Sequence, residues 1–278
     1  MTNERTQSFI YDDYTKHLHQ MTKQVRTTRE LAKICQRMYI ADYINLDGLD
    51  FNLAKEALDT VFDVLMKYPE LRREMHYFGT LKGFSAEKDK LFKFLNPNAD
   101  EQTREGIKSL TDQTAQETAH VFKNGGLALA YCSSCGDCRF CGIIIDEDDF
   151  DEARILNDLK YSEACGFSPK GCSSVKSVVD HELGHMLDYW LGISPSSEFT
   201  AFLSRLNPFD VAKNLSQYSV MNGKIAPAEV IAEGFSESRN SPSPRRLARE
   251  IAIIIDNAYK KKLKEYDIKD RIDNMRWE

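Results

Sequence analysis

Residues 181–185 read His-Glu-Leu-Gly-His. On a helix, positions i and i+4 lie one turn apart on one face, so His181 and His185 can turn both imidazoles toward one metal ion. Zinc–nitrogen bonds of about 2.0–2.1 Å suit that separation. Glu182 stands beside the first histidine without needing to be a ligand. A carboxylate there can take a proton from a water that the ion has acidified. Val178, Val179, Leu183, Met186 and Leu187 add an apolar stripe, as a buried helix requires. Gly184 costs about 0.8–1.0 kcal/mol of helix propensity relative to Ala, which points to a neighbour packed close against it. The competing reading is an amphipathic helix with two surface histidines. Six histidines in 278 residues make a His pair around a Glu an uncommon accident.

Catalytic zinc takes three protein ligands and keeps one position open. Ala228-Glu229-Val230-Ile231-Ala232-Glu233-Gly234-Phe235 sets Glu229 and Glu233 one turn apart on an otherwise apolar helix. Acids buried there need a cation or hydrogen bonds. Glu229 is assigned as the third ligand, and Glu233 as the outer carboxylate that orients a ligand histidine. Solvent exposure of both acids is the alternative. Asp188 and Glu237 are further candidates for an orienting role, with local capping as the alternative for Asp188. Tyr218, eleven residues before Glu229, offers a hydroxyl for the oxyanion of a tetrahedral intermediate.

Cys132, Cys135, Cys138 and Cys141 recur at C-x2-C-x2-C-x2-C, with Gly136 and Gly142 for tight turns. Four thiols so placed could wrap a second zinc or, less simply, an iron–sulfur cluster. Disulfides within the loop and unliganded thiols are the other readings. Cys165 and Cys172 could add ligands or pair, and Cys35 reads as a small buried apolar residue. Seven cysteines, an odd number, argue against a disulfide framework and for reduced thiols.

The elements that position these groups are mostly helical. Leu18, Met21, Val25, Leu31, Ile34, Cys35 and Met38 recur at helical spacing. Leu53 to Met66 do so more cleanly, with Asp50 or Asn52 as cap and Pro69 past the end. Residues 74–84 read as extended, 85–112 as loop with a short helix, and 111–123 as a helix stopped by Asn124-Gly125-Gly126. Leu127–Tyr131 and Gly142–Ile145 suit two strands of a hairpin with the cysteines at its tip. A helix follows over 152–161. Ser173 or Ser174 caps the His-Glu helix, which Gly192 ends. Ser194-Pro195-Ser196 opens a helix toward Leu206, Pro208 opens a short one, and Pro227 opens one reaching about Ser236. Residues 238–246 read as a loop, and 247–266 as a final helix whose lysines (260, 261, 262, 264) complement its dipole.

Composition narrows the class. The chain is 42% hydrophobic and 29% charged, with a formal charge of −6, so it is globular and not built to coat nucleic acid or anionic membrane. Its longest apolar runs are too short to span a bilayer. The first residues lead into no apolar stretch, which predicts no secretory leader and a cytoplasmic protein; packaging in a virion, the alternative, would leave no such mark either.

His181-Glu-Leu-Gly-His185, Gln217-Tyr218-Ser219 and Glu229-Val-Ile-Ala-Glu233-Gly-Phe235 together resemble the zincin domain of anthrax-lethal-factor-like metallopeptidases, and most of all related domains in phage and prophage proteins. Ser219 stands where that family commonly has Ala, and the Tyr-to-Glu interval is a few residues longer. The resemblance implies an α+β zincin-like metallopeptidase, predominantly helical with a small mixed sheet. It implies zinc on His181, His185 and Glu229, Glu182 as general base and Tyr218 as transition-state stabiliser. It also implies a peptide or protein substrate bound along an edge strand, for which residues 142–146 are the candidate. The chain then divides into a helical N-terminal extension (1–48), the zincin-like domain with its Cys-rich hairpin at 132–141 (49–240) and a packed C-terminal helix (241–278). Two other functions fit the same residues. One is a non-catalytic zincin-fold module with phage structural partners. The other is a metal- or redox-sensing module built on the cysteines.

Overall fold

The computed structural model describes residues 20–95, 98–135, 138–150 and 152–265. Leu18, Gly136 and the side chains of Cys135 and Cys138 lie outside the described residues. Helix α1 (Thr28–Arg37) leads into strand β1 (Tyr43–Asn45), and α2 (Phe51–Lys67) into a 3-10 turn (Pro69–Glu74) and β2 (Tyr77–Thr80). Then come α3 (Leu81–Leu95), α4 (Glu101–Lys123), the ribbon β3 (Ala128–Cys135) and β4 (Cys138–Ile145), and α5 (Glu152–Ala164). The last part holds α6 (Val175–Leu191), α7 (Ser197–Leu203), α8 (Pro208–Asn214), the short pair β5 (Val220–Met221) and β6 (Lys224–Ile225), α9 (Pro227–Asn240) and α10 (Arg246–Glu265). It is an α+β fold, mostly helical with a small mixed sheet. Among the described residues no helix is long and apolar enough to cross a membrane.

The sheet runs β1-β2-β4-β3, with β1, β2 and β4 parallel and β3 antiparallel to β4. Side chains alternate across it. Ala128, Ala130, Cys141, Ile143 and Ile145 face the main core, shared with α2, α6, α9 and α10. Tyr77, Tyr131, Phe140 and Ile144 face a second core closed by Phe84, Leu91 and Phe122 from α3 and α4.

Four local expectations need correction. Residues 81–84 are helical, because Glu147 accepts from the Leu81 and Lys82 N–H groups, as an N-terminal carboxylate does. The helix expected at 111 begins at 101, where the Asp100 carboxylate caps Thr103 N–H; its buried face is lined with Thr111, Thr114 and Thr118, which hide the apolar period. Strand β4 is interior, so residues 142–146 are not an edge; β3 is. The segment assigned to a helical extension contributes β1 to the sheet.

Other signals hold. Asp50 and Ser174 cap α2 and α6, and Gly192 closes α6 at φ 65°. The C-terminal helix packs on the body as expected: Tyr68 donates to Asp256 at 2.6 Å, Lys67 pairs with the same carboxylate at 2.9 Å, and the Tyr259 hydroxyl donates to Glu70.

The site helix is locked from behind by Asp180, which is fully buried. It accepts from Lys176 Nζ at 2.7 Å, Arg239 Nε at 2.7 Å and Asn240 Nδ2 at 2.8 Å, so one carboxylate joins α6 to the end of α9. Asp180→Ala should destabilise the fold by about 3 kcal/mol, because it removes the buried carboxylate that Lys176, Arg239 and Asn240 share; urea unfolding of the two proteins checks this.

Candidate metal centre

Helices α6 and α9 cross almost in backbone contact. A Cβ on Gly184 would stand 2.7 Å from Ala232 Cα. This is the close neighbour that a glycine inside the motif implies, and it lets the ligand-bearing faces of both helices meet. His181 Nε2 and His185 Nε2 are 3.1 Å apart. Glu229 Oε2 lies 3.4 Å from each. Three donors on a tetrahedral ion at about 2.0–2.1 Å would be about 3.3–3.4 Å apart. The three expected ligands therefore converge at zinc spacing.

Hydrogen bonding fits the same ion. His181 Nδ1 donates to Glu233 Oε1 at 2.8 Å, so a neutral His181 turns the lone pair of Nε2 toward His185 and Glu229. Glu233 thus fixes the orientation of the His181 ring. Glu229 Oε2 and His185 Nδ1 are buried without a hydrogen-bond partner among the described residues. Two imidazole lone pairs and a carboxylate oxygen facing one point repel unless a proton or cation sits between them.

Glu182 is buried and accepts from the Ala130 N–H of edge strand β3 at 2.5 Å. The proposed base is thereby tied to the strand that borders the site. Tyr218 brings its ring 5.8 Å from that of His181. A strap holds it there: Gln217 and Tyr218 N–H donate to Gly166 and Phe167 carbonyls, and Ala226 N–H to Ser219. Ser219 is buried with its hydroxyl 2.8 Å from that of Ser216, which accounts for a hydroxyl where the resembling family has Ala. The longer Tyr-to-Glu interval holds the β5–β6 hairpin, turned by Asn222 (φ 51°) and Gly223 (φ 73°). Asn-Gly is a strong hairpin signal and was the legible mark of this element.

Charge shapes the centre. Burial disfavours ionised Glu229, but His181 and His185 outweigh it and hold its carboxyl at about 2. Burial likewise disfavours charged His181, and Glu229 and Glu233 overcome it, so its imidazolium is held well above the usual range. Burial first, then Glu229, Glu182 and Glu233, push the Tyr218 hydroxyl up, so it stays a proton donor.

Two expected participants stand elsewhere. Asp188 accepts from Ser194 N–H at 2.6 Å and shapes the turn after α6. Glu237 is fully buried in a bidentate pair with Arg245, whose guanidinium also donates to the Lys213 and Leu215 carbonyls. It fixes the chain leading to Tyr218. Tyr189 was missed: its ring stacks on His185 with centroids 6.1 Å apart, and burial and then Glu182 push its hydroxyl up to about 12. Its position at i+4 from His185, continuing the 181–185 stripe, was the available signal.

The cysteines depart from the four-thiol reading. Cys132 and Cys141 face each other across the ribbon, Cα atoms 4.1 Å apart, and are joined as a disulfide. Cys135 and Cys138 are opposite each other in the backbone register of the ribbon, and their side chains lie outside the described residues. Cys35, Cys165 and Cys172 are unpaired, and burial pushes the Cys35 and Cys172 thiols up to about 12, so neither offers a thiolate at neutral pH.

Gly184→Ala forces the α6–α9 crossing apart. The substitution should cost about 1–3 kcal/mol of stability and weaken zinc binding, as denaturation and zinc titration against a chelator would register. Zinc-free protein gains from the Glu229 carboxylate above the ordinary value of 4.5 and loses that gain as pH falls toward 2; it gains from charged His181 below 6.5 and loses that gain as pH rises. Zinc displaces the proton, so the melting-temperature difference between zinc-loaded and stripped protein should widen as pH rises. A difference that stays flat with pH would contradict the ligand assignment.

Comparison with protein-family models, with curated proteins and with solved structures returned no match.

Proposed function

We propose that the chain is a zinc-dependent endopeptidase of zincin type, acting on a peptide or protein. The observation that carries this reading is the convergence of His181 Nε2, His185 Nε2 and Glu229 Oε2 at 3.1–3.4 Å beside a buried Glu182. When bound, zinc supplies the positive charge that polarises a carbonyl and acidifies a water. The chain's own residues do the rest. Glu182 accepts the proton of the attacking water and returns it to the amide nitrogen that leaves. The Tyr218 hydroxyl, kept protonated by burial and then by its acidic neighbours, donates to the oxyanion. His181 is held in one tautomer by Glu233. Strand β3, the edge bordering Glu182, offers backbone groups for an extended substrate to pair with.

The α+β arrangement of helices over a small mixed sheet is compatible with the zincin class that the motif resembles. An antiparallel edge strand beside the motif helix is the feature of the sheet that supports a peptide substrate over a small molecule.

The test uses a fluorogenic peptide mixture and metal analysis per chain. Wild type should carry zinc at the His site and cleave; His181→Ala should lose one equivalent and all turnover. Glu182→Gln should keep zinc and lose cleavage. Tyr218→Phe should lower kcat by roughly 10²-fold with KM little changed. Zinc bound by wild type with equal turnover in Glu182→Gln would sink the mechanism, and zinc without any turnover in wild type would favour the structural module.

A further inference from the structure

The ribbon cysteines stand apart from the chemistry above, and their surroundings are specific. Cys141 is buried on the main-core face of β4, with Cys132 opposite it on β3. Glu74, the last residue of the 3-10 turn, brings Oε2 to 3.5 Å from Cys141 Sγ. One carboxylate oxygen and the two sulfurs all lie within 4.8 Å of one another. The backbone fixes this placement. Cys141 N–H donates to His76 Nδ1 at 2.9 Å, and His76 N–H donates to the Cys141 carbonyl at 3.1 Å.

The carboxylate is the informative group. A disulfide sulfur has no proton, so Glu74 gains no hydrogen bond from Cys141 in the oxidised state. A reduced Cys141 thiol could donate to it, and a metal held by the two thiolates could take the same oxygen as a third donor. Zinc with sulfur at about 2.3 Å and oxygen at about 2.0–2.2 Å puts those two ligands about 3.5 Å apart in a tetrahedron, which is the separation found.

We propose that Cys132 and Cys141, when reduced, form with Glu74 a second zinc site, separate from the His181–His185–Glu229 centre. Disulfide and metal-binding pair are alternative states of the same two sulfurs. A phosphine reductant breaks the S–S bond, giving two thiols and its own oxide with oxygen from water; both thiol protons leave as the ion binds. Three protein donors leave one position for water. The ion would staple edge strand β3 to the 3-10 turn, two residues from the Ala130 N–H that holds Glu182.

Full-length His181→Ala, purified with a phosphine and without chelator, isolates this site from the other. About one zinc per chain should remain there, and none in His181→Ala/Cys132→Ser/Cys141→Ser. Adding Glu74→Gln to His181→Ala should weaken zinc retention about tenfold. Cobalt in place of zinc should give thiolate-to-cobalt charge-transfer absorption in His181→Ala, absent from the triple variant. Should His181→Ala fold poorly, wild type against Cys132→Ser/Cys141→Ser reads the same difference as two zinc ions against one. No zinc in reduced, folded His181→Ala, or zinc retained in the triple variant, overturns the proposal. A Cys132–Cys141 bond that survives the reductant, read by thiol counting in denaturant, overturns it too. Peptidase activity enters none of these readouts, so either proposal can fail without the other.

Discussion

The crossing of α6 and α9 is the constraint on which the rest depends. At Gly184 and Ala232 the two helices approach as closely as backbones can, with no room for one added carbon. That approach brings a carboxylate of one helix within 3.4 Å of two imidazoles of the other. Such groups are costly to bury together. The crossing is therefore held behind the centre by Asp180 with Lys176, Arg239 and Asn240, while Glu237 with Arg245 ties α9 to the end of α8. The glycine that weakens the helix locally is what makes the packing, and hence the site, attainable.

The same physics separates what the sequence reveals from what it hides. His181, His185 and Glu229 were legible because ligand chemistry demands a fixed spacing on a helix face, and a helix transmits spacing faithfully. Glu233 was legible because a second acid on an apolar helix needs a reason. Asp188 and Glu237 carry the same signal and have other reasons, a turn amide and an arginine, that no spacing discloses. Strand order was beyond reach: Gly142-Ile-Ile-Ile and Leu-Ala-Leu-Ala-Tyr131 look alike as apolar runs. Only the insertion of β4 between β2 and β3 decides which is the edge. Helix α4 was half hidden because its core face uses threonines whose hydroxyls return to the carbonyl one turn back, removing the polarity that composition counts.

Edge strand β3 connects the separate parts. Its Ala130 N–H holds Glu182, its Tyr131 enters the second core, and its Cys132 meets Cys141 and Glu74. An edge strand left unbraced is prone to slip or to pair with other chains. Here one face is packed on the motif helix, the other on α4, and the far end is cross-linked. An edge so fixed presents its backbone groups in one register to whatever pairs with it, which is a requirement for a cleavage site defined along an extended peptide.

The electrostatic balance of the centre supports the proposed cation. Glu182, Glu229 and Glu233 lie close enough together to shift the Tyr218 and His181 equilibria jointly. With neutral imidazoles the cluster is a group of anions in a buried setting. With one imidazole charged it is partly balanced, but His181 and His185 then turn nitrogens 3.1 Å apart toward a space that one proton can serve only on one side. A divalent ion satisfies both nitrogens and Glu229 Oε2 at once and leaves Glu233 bound to Nδ1–H and Glu182 bound to the strand. A scaffold that needed only a staple could place the same three donors without keeping a fourth, unliganded acid beside them. Glu182 has a structural bond of its own, from the Ala130 N–H, and in the reading proposed above proton transfer at the ion is the further role of its carboxylate.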